Sequence, residues 1–557
     1  MTLETVFSVR HKHFVTVYHE EFGEVGQGTL LFGKGEWAHL NFRLSSPSKL
    51  EDGETYPRLV AKAASGEVFT LFGCAFHVFY AAIDFIVEGE MSAEFPRICV
   101  RYSEASEWFL GRQRLDGEVG ETLTWVNKPE PIAVNVRTDT EHFALSTSVV
   151  GNHTHSGEDH SISEHVIFTF ERLGGLFGVD DVPRHCRQLS NFLSVLIAQP
   201  VNIISVGLAD DATGFHYAYF PHFKMKSKKG GDGTWLRWLI QRDRLDGRWE
   251  SVLERYYRSE FREVAWARLA GMQRYKGFWE FRTFGYVSML DGFVQKKSYD
   301  QKVGISPPSE KRMKKFRNKL AQLPGSLTEE QRADIVGLAR ESFSKKEEKS
   351  FAWCYNYACS TSDEAVVSVI NISDNDFSII KTARDAIAHG GDYNLSIYPI
   401  ELLFKLVSKI TLLLTYWAYV DFGLTAKDFL RCLYETHNRL VQGSEIDKAS
   451  LDRFLDTAPF YRASEQRFDE IASSKGDRIH VCLVRDESGE VRLSEKYAKR
   501  VEDWKTSRKT GFIGHAELLG VEASQVTYSG TAYVEDGKRT HRLTSVYLID
   551  ETKSVPE

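Results

Sequence analysis

A chain of 557 residues is too long for one hydrophobic core, so length alone predicts about two to four domains. Hydrophobic residues at 42% and aromatic residues at 13% exclude a disordered, collagen-like or low-complexity protein. The formal net charge of -7 supplies no global basic field for nucleic acid, although a local patch binds phosphate whatever the total.

In chain order, residues up to about 170 read as β structure. Leu40, Phe42 and Leu44 alternate with His39, Asn41 and Arg43, the period-two pattern of a half-buried strand. Gly33-Lys34-Gly35 precedes them as a turn signal, which predicts a hairpin of Thr29–Phe32 with Trp37–Leu44. Val68–Tyr80, Ile98–Tyr102, Ile132–Val136 and His165–Phe170 are further strand candidates, a spacing that suits an antiparallel sandwich or barrel. A helical pattern follows over Val182–Ala198, then a strand over Val201–Gly207.

From about Trp249 the apolar period changes to 3.6, opening a helical region that reaches about Leu440. Val252, Tyr256 and Ala265 begin it, and Phe278–Val294 continues it with Phe281, Phe284 and Val287 on one face. Ser326-Leu-Thr-Glu329 reads as a capping box for a helix to about Ser342, Ser373 or Asp374 caps the next, and Pro399 starts a long one. That last helix contains the most membrane-like stretch, Ile400 to Val420. Glu401, Lys405 and Lys409 put a charged stripe along its first half, which a membrane span would not tolerate. It is expected to be amphipathic, with an apolar second half buried in a core or a subunit interface, and no membrane is expected as a partner.

Gly443-Ser444 marks an exit from the helical block. Beyond it, His480–Val484 and Val491–Leu493 flank an Asp486–Gly489 turn, and Asp536-Gly537 signals a hairpin between Tyr528–Val534 and Arg539–Leu548. The reading is therefore an α+β multidomain chain. A β-rich, sandwich-like region spans 1–245, an all-α bundle 246–443, and a small mixed α/β appendix 444–557.

The seven cysteines are scattered and odd in number, which suits reduced thiols in a cytoplasm and not a disulfide framework. Cys354 and Cys359 are two ligands short of a zinc site and read as buried small hydrophobes. Met1 to Phe7 lack a basic region followed by an apolar run, so a cytoplasmic protein without a secretory leader is expected.

The glycines Gly23, Gly26, Gly28, Gly33 and Gly35 lie between strands with no helix after them, so they read as hairpin turns and not as a phosphate loop. Asn152-His153-Thr154-His155 with Asp159, His160 and His165 has residues able to ligate zinc or nickel, but Gly151, Ser156 and Gly157 place them in an expected exposed loop. No metal or cofactor is expected. Lys224, Lys226, Lys228 and Lys229 precede Gly230-Gly231, and Lys311, Arg312, Lys314, Lys315, Arg317 and Lys319 crowd a second segment after Pro307-Pro308. The second run either contacts an RNA backbone or forms the solvated face of a helix.

The sharpest signal is Lys381-Thr-Ala-Arg384-Asp385-Ala-Ile-Ala-His389-Gly390-Gly391. Arg-x4-His by itself carries no information. Arg137 and His142 have the same spacing in a strand-to-turn context, and Arg431 and His437 are one residue further apart on a helix. Context separates the three. Phe377, Ile380 and Ile387 give the 377–389 segment an apolar face, and Gly390 stands where a helix C-cap belongs. His389 then sits in the last turn, where the macrodipole favours imidazolium. Asp385 lies one turn earlier, positioned to orient the ring. Arg384 points elsewhere around the helix unless the last turn loosens at Gly390. An exposed Arg384–Asp385 ion pair with an ordinary helix-end histidine accounts for the same residues.

Set between a capped helix and a long apolar one, Arg384-Asp385-Ala-Ile-Ala-His389-Gly390 resembles the Arg-x4-6-His motif of HEPN ribonucleases. A β-rich N-terminal half before such a domain resembles the ApeA family of bacterial anti-phage abortive-infection proteins. The resemblance implies a metal-independent endoribonuclease whose helical bundles pair, as a homodimer or higher homo-oligomer, so that two motifs build one composite site. His389 would be the general acid/base, Arg384 would bind phosphate, and Asp385 would orient either of them. Products would be a 2′,3′-cyclic phosphate and a 5′-hydroxyl. The implied substrate is RNA needed for translation, tRNA in particular, and the implied trigger is phage-derived and sensed by the N-terminal region. The alternative is a catalytically inactive HEPN-type module that binds nucleic acid or protein. A further reading makes the β-rich half a ligand-binding sandwich, with the helices serving dimerisation. Residues 444–557 match no pattern.

Overall fold

The computed structural model describes residues 7–34, 36–43, 49–111, 114–118, 121–210, 214–222, 237–301, 305–306, 308–323, 327–343, 345–346, 349–389, 399–474, 480–507 and 514–552. The lysines from Lys224 to Lys229, together with Gly35, Leu44, Gly230, Gly231, Pro307, Ser326, Gly390 and Gly391, lie outside the described residues. Two compact units emerge. The first comprises 1–364, 373–425 and 437–444, and the second 365–372, 426–436 and 445–557. The fold is α+β and multidomain.

In the first unit, twelve of the described strands pair antiparallel in one continuous sheet. They are β1 (Arg10–His19), β2 (Gly23–Gly33), β3 (Glu36–Phe42), β4 (Thr55–Ala63), β5 (Val68–His77), β6 (Tyr80–Glu88), β7 (Arg97–Tyr102), β8 (Ala133–Arg137), β9 (His142–Ser156), β10 (Asp159–Arg172), β11 (Ile203–Asp210) and β12 (Gly214–Tyr219). Their order is β8-β9-β10-β7-β11-β12-β6-β3-β2-β1-β4-β5. Because β5 also pairs with β6, the last six strands close into a barrel. Alternation explains the inside: Ala38, Leu40 and Phe42 of β3 are buried, as are Val15 and Val17 of β1. Gly33 closes the β2–β3 turn with φ 107°, and a Cβ there would lie 1.9 Å from the Val9 carbonyl oxygen, so no other residue fits.

Two expectations are corrected here. The single strand over Val68–Tyr80 is broken at Val78, which turns with φ 41° and donates its N–H to Asp52 Oδ1 at 2.9 Å. The histidine-rich stretch is not a loop. It forms the outer part of the long β9–β10 hairpin, with His155 opposite His160 and a two-residue turn at Gly157-Glu158, where Gly157 supplies φ 63°. The β-branched residues Val149, Val150, Thr154 and Ile162 carry the ladder outward.

The helices of this unit that bear on function are α1 (Asp181–Ile197), α2 (Trp249–Arg258), α3 (Ala267–Arg274), α4 (Trp279–Lys297), α5 (Glu310–Ala321), α6 (Glu329–Phe343), α7 (Phe351–Ser360), α8 (Asp374–Ala388) and α9 (Ile400–Asp421). Helix α1 ties the sheet to the bundle. Tyr256 donates to the Gln188 carbonyl at 2.8 Å, and the half-buried Arg274 spends its donors on Asn191, Ser190, Ser194 and the Val201 carbonyl.

Three helices bear on these expectations. The buried face of α4 is Thr283, Tyr286, Val287, Leu290 and Val294, whereas Phe281 is exposed. The described N-terminal pair of α6 is reciprocal, Thr328 with Gln331, and Ser326 of the expected capping box lies outside the described residues. The apolar half of α9 is covered within this one chain, from Leu406 to Tyr419, and Lys409 is buried with its ammonium 3.8 Å from Asp376. That helix therefore gives no reason to invoke a partner surface.

The second unit centres on a mixed sheet of β13 (Phe460–Arg462), β14 (Val481–Arg485), β15 (Val491–Leu493), β16 (Val526–Glu535) and β17 (Thr540–Asp550), ordered β13-β16-β17-β14-β15. Leu483 packs on one face with Phe468 and Ile471, and Cys482 and Val484 pack on the other with Tyr497 and Val501. Period-two alternation thus feeds two cores, each covered by a helix. No helix among the described residues is long and apolar enough to cross a membrane.

Candidate functional site

Helix α8 begins with a complete capping box: Asp376 N–H donates to the Ser373 hydroxyl at 3.1 Å, and Ser373 N–H donates to Asp376 Oδ2 at 3.1 Å. Phe377, Ile379, Ile380 and Ala383 are buried, and Ile387 is half-buried. Phe377 stacks on Tyr355 of α7, ring centroids 4.2 Å apart. This packing fixes the rotation of the helix and hence the direction of its polar residues.

Arg384 is turned inward against α4. Its Nη2 donates to Asp291 Oδ2 at 2.6 Å, and Gln295 Nε2 donates to the other carboxylate oxygen at 2.7 Å. The guanidinium carbon stands 5.6 Å from the centroid of the Phe351 ring. Arg384 Nη1 also reaches Asp385 Oδ1 at 3.4 Å. His389 is the exposed C-cap residue, and its N–H donates to the Asp385 carbonyl at 3.1 Å. Among the described residues no side-chain hydrogen bond joins the His389 ring to Asp385. Of the two orienting roles open to Asp385, the geometry presents the contact with Arg384.

Sequence reading missed Asp291 and Gln295. Asp291 interrupts the apolar stripe of Val287, Leu290 and Val294, and a carboxylate at a buried helical position requires a cation. That signal was present; the identity of the cation, 93 residues further on, was not.

The basic run 311–319 forms α5. Ser309 caps it, accepting the Arg312 N–H, while Met313 and Leu320 are buried and Phe316 packs edge-on against Phe343 of α6. Lys311, Arg312, Lys314, Lys315, Arg317 and Lys319 are exposed. Arg312 lies over the Phe343 ring at 4.5 Å, so its stem packs and its charge stays in solvent.

The other candidates have their groups already engaged. His153 Nε2 and His160 Nδ1 share a hydrogen bond of 3.0 Å on the exposed hairpin, and among the described residues no group of three or more His, Cys, Asp or Glu is arranged to hold a metal ion. A cavity of about 640 Å³ opens beside β7 and β10, lined by Arg101, Glu104, Glu107, Arg114, Glu164 and His165 among others. Arg114 is bound to Glu164 and to the Val126 and Asn127 carbonyls, and Glu104 and Glu107 share Arg237. None of the α4 or α8 residues lines it.

Comparison with known families bears on the sheet. Residues 17–256 match the family model described as ApeA N-terminal domain 1. The ApeA match runs from within β1 to α2, less than half of the chain, and ends before Asp291, Arg384 and His389. No curated protein and no solved structure gives a significant match.

Proposed function

We propose that this protein acts in anti-phage defence by abortive infection, as a HEPN-type endoribonuclease that cleaves RNA, tRNA in particular, without a metal. The observation that carries the defence role is the match of residues 17–256 to the ApeA N-terminal domain 1. The chemistry is supported by the end of α8, where Arg384, the half-exposed Asp385 and the exposed His389 fall within the last turns of one capped helix, and by the exposed cationic face of α5, which suits an RNA backbone.

In this reading His389 removes the proton from a ribose 2′-hydroxyl. The freed oxygen attacks the adjacent phosphorus, the bond to the 5′-oxygen breaks, and a proton returned to that oxygen leaves a 2′,3′-cyclic phosphate and a 5′-hydroxyl. Arg384 pairs with the phosphate oxygens as charge builds on them. A second copy of the chain completes the composite site.

The deciding experiment incubates purified full-length protein with total bacterial tRNA in EDTA, beside His389→Ala, and maps the ends. Cleavage by wild type alone with cyclic phosphate ends supports the reading. Equal cleavage by both removes His389 from the chemistry. No cleavage by either, in vitro and in phage-infected cells, replaces the nuclease with a binding module.

A further inference from the structure

Resting on the ribonuclease reading above, we infer that Asp291 is a latch that holds Arg384 off phosphate, so that the arrangement described here is the resting form of the site. The Asp291 side chain is only 9% exposed, and both of its oxygens are engaged, one by Arg384 and one by Gln295. Arg384 adds a second carboxylate, Asp385, on its Nη1 edge. One positive and two negative charges thus meet at the place where a phosphodiester would have to bind, so an incoming phosphate meets net like charge.

Carboxylate and phosphate make the same demand on a guanidinium, a pair of acceptor oxygens in the plane of its donors. Arg384 therefore engages phosphate by exchanging a carboxylate for it. The two carboxylates are unequal in this exchange. Asp385 is 45% exposed and turns into water at little cost. Asp291 is buried on α4 and pinned by Gln295, so its release from Arg384 requires α4 and α8 to move relative to each other or the arginine to change rotamer. A buried acceptor of this kind makes a two-state element, with an uncompensated charge as the penalty for leaving it open. RNA, or an event that shifts α4 against α8, supplies the compensation.

Asp291→Asn tests this, because asparagine keeps the shape and one acceptor oxygen while removing the charge. Binding is read by fluorescence anisotropy with a labelled RNA carrying 2′-O-methyl riboses, which the proposed chemistry cannot cleave. Cleavage is read on total tRNA, with and without His389→Ala. Release of the latch is expected to tighten binding about tenfold and raise cleavage by a similar factor. Tighter binding with no cleavage by any variant keeps the latch and overturns the nuclease. His389-dependent cleavage by wild type, with Asp291→Asn binding equally or more weakly at an unchanged melting temperature, overturns the latch and makes Asp291 a positioning residue. Absence of binding by both proteins overturns both. Should Asp291→Asn fail to fold, Gln295→Ala loosens the same carboxylate without changing charge and is expected to move binding in the same direction by a smaller factor.

Discussion

Two Arg-x4-His pairs occupy this chain, one at the mouth of a β-hairpin and one at the end of a helix, and they share nothing beyond their spacing. Arg137 and His142 are direct cross-strand partners of β8 and β9, brought opposite each other by the turn between them. Both are exposed, while their neighbours Val136 and Phe143 are fully buried. The Glu141 carboxylate beside His142 is buried and committed to Arg184. On α8 the same spacing sets Arg384 and His389 about 140° apart around the axis. The arginine turns into the bundle to meet Asp291, and the histidine remains in solvent. The comparison teaches that a short motif acquires chemistry from the element that carries it and from the charges that the packing of that element brings to it.

The largest expected effect breaks this comparison outright if it fails. His389→Ala should slow tRNA cleavage at least about a hundredfold, the scale of a lost general acid/base, while His142→Ala leaves the rate unchanged. Gel-resolved rates for both variants check it, and equal losses would erase the distinction between the pairs.

Next in size is stability. Arg384→Ala strands a buried carboxylate and should cost about 2 kcal/mol, whereas Arg137→Ala, on an exposed strand end, should stay within about 0.5 kcal/mol. Denaturant unfolding of the two variants measures the difference. Ser373→Ala removes the capping box that fixes α8 and should cost about 1 kcal/mol in the same assay.

A pH effect comes from histidines of neither pair. Burial against Phe143, Phe170 and Phe177, with Arg184 adjacent, holds His185 down at about 3, and burial does the same to His222. Between about pH 6.5 and pH 3 the unfolded chain binds protons at these positions that the folded chain refuses. Stability is therefore complete above about pH 6.5 and is lost as pH falls through that window. Melting temperatures at pH 7.5, 6 and 5 should descend in that order, and His185→Phe should flatten the slope.

Much of this architecture was legible because its causes are local. The Ser373 cap needs only Asp376 three residues on, the hairpin of β2 with β3 needs only alternation and a glycine turn, and α5 shows both its cations and its apolar positions Met313 and Leu320 within a few turns. The errors fell where local signals competed. Glycine and serine around His153 argued for a loop, but the β-branched residues flanking them extended the ladder. Phe281 had the right period for the core of α4 but lies a turn too near its exposed start.

By itself, then, the sequence determined the order of strand-rich and helical regions, the cap of α8, and that Arg384 and His389 share the last turns of that one capped helix. Tertiary structure decided the rest: that one chain covers the apolar half of α9, that the histidine stretch is a ladder, and that Arg384 answers to Asp291. Helix signals and strand alternation act over three or four neighbours, and they survive in any fold. The partner of a charge is chosen by which helices pack side by side, and no local rule links residues 93 positions apart.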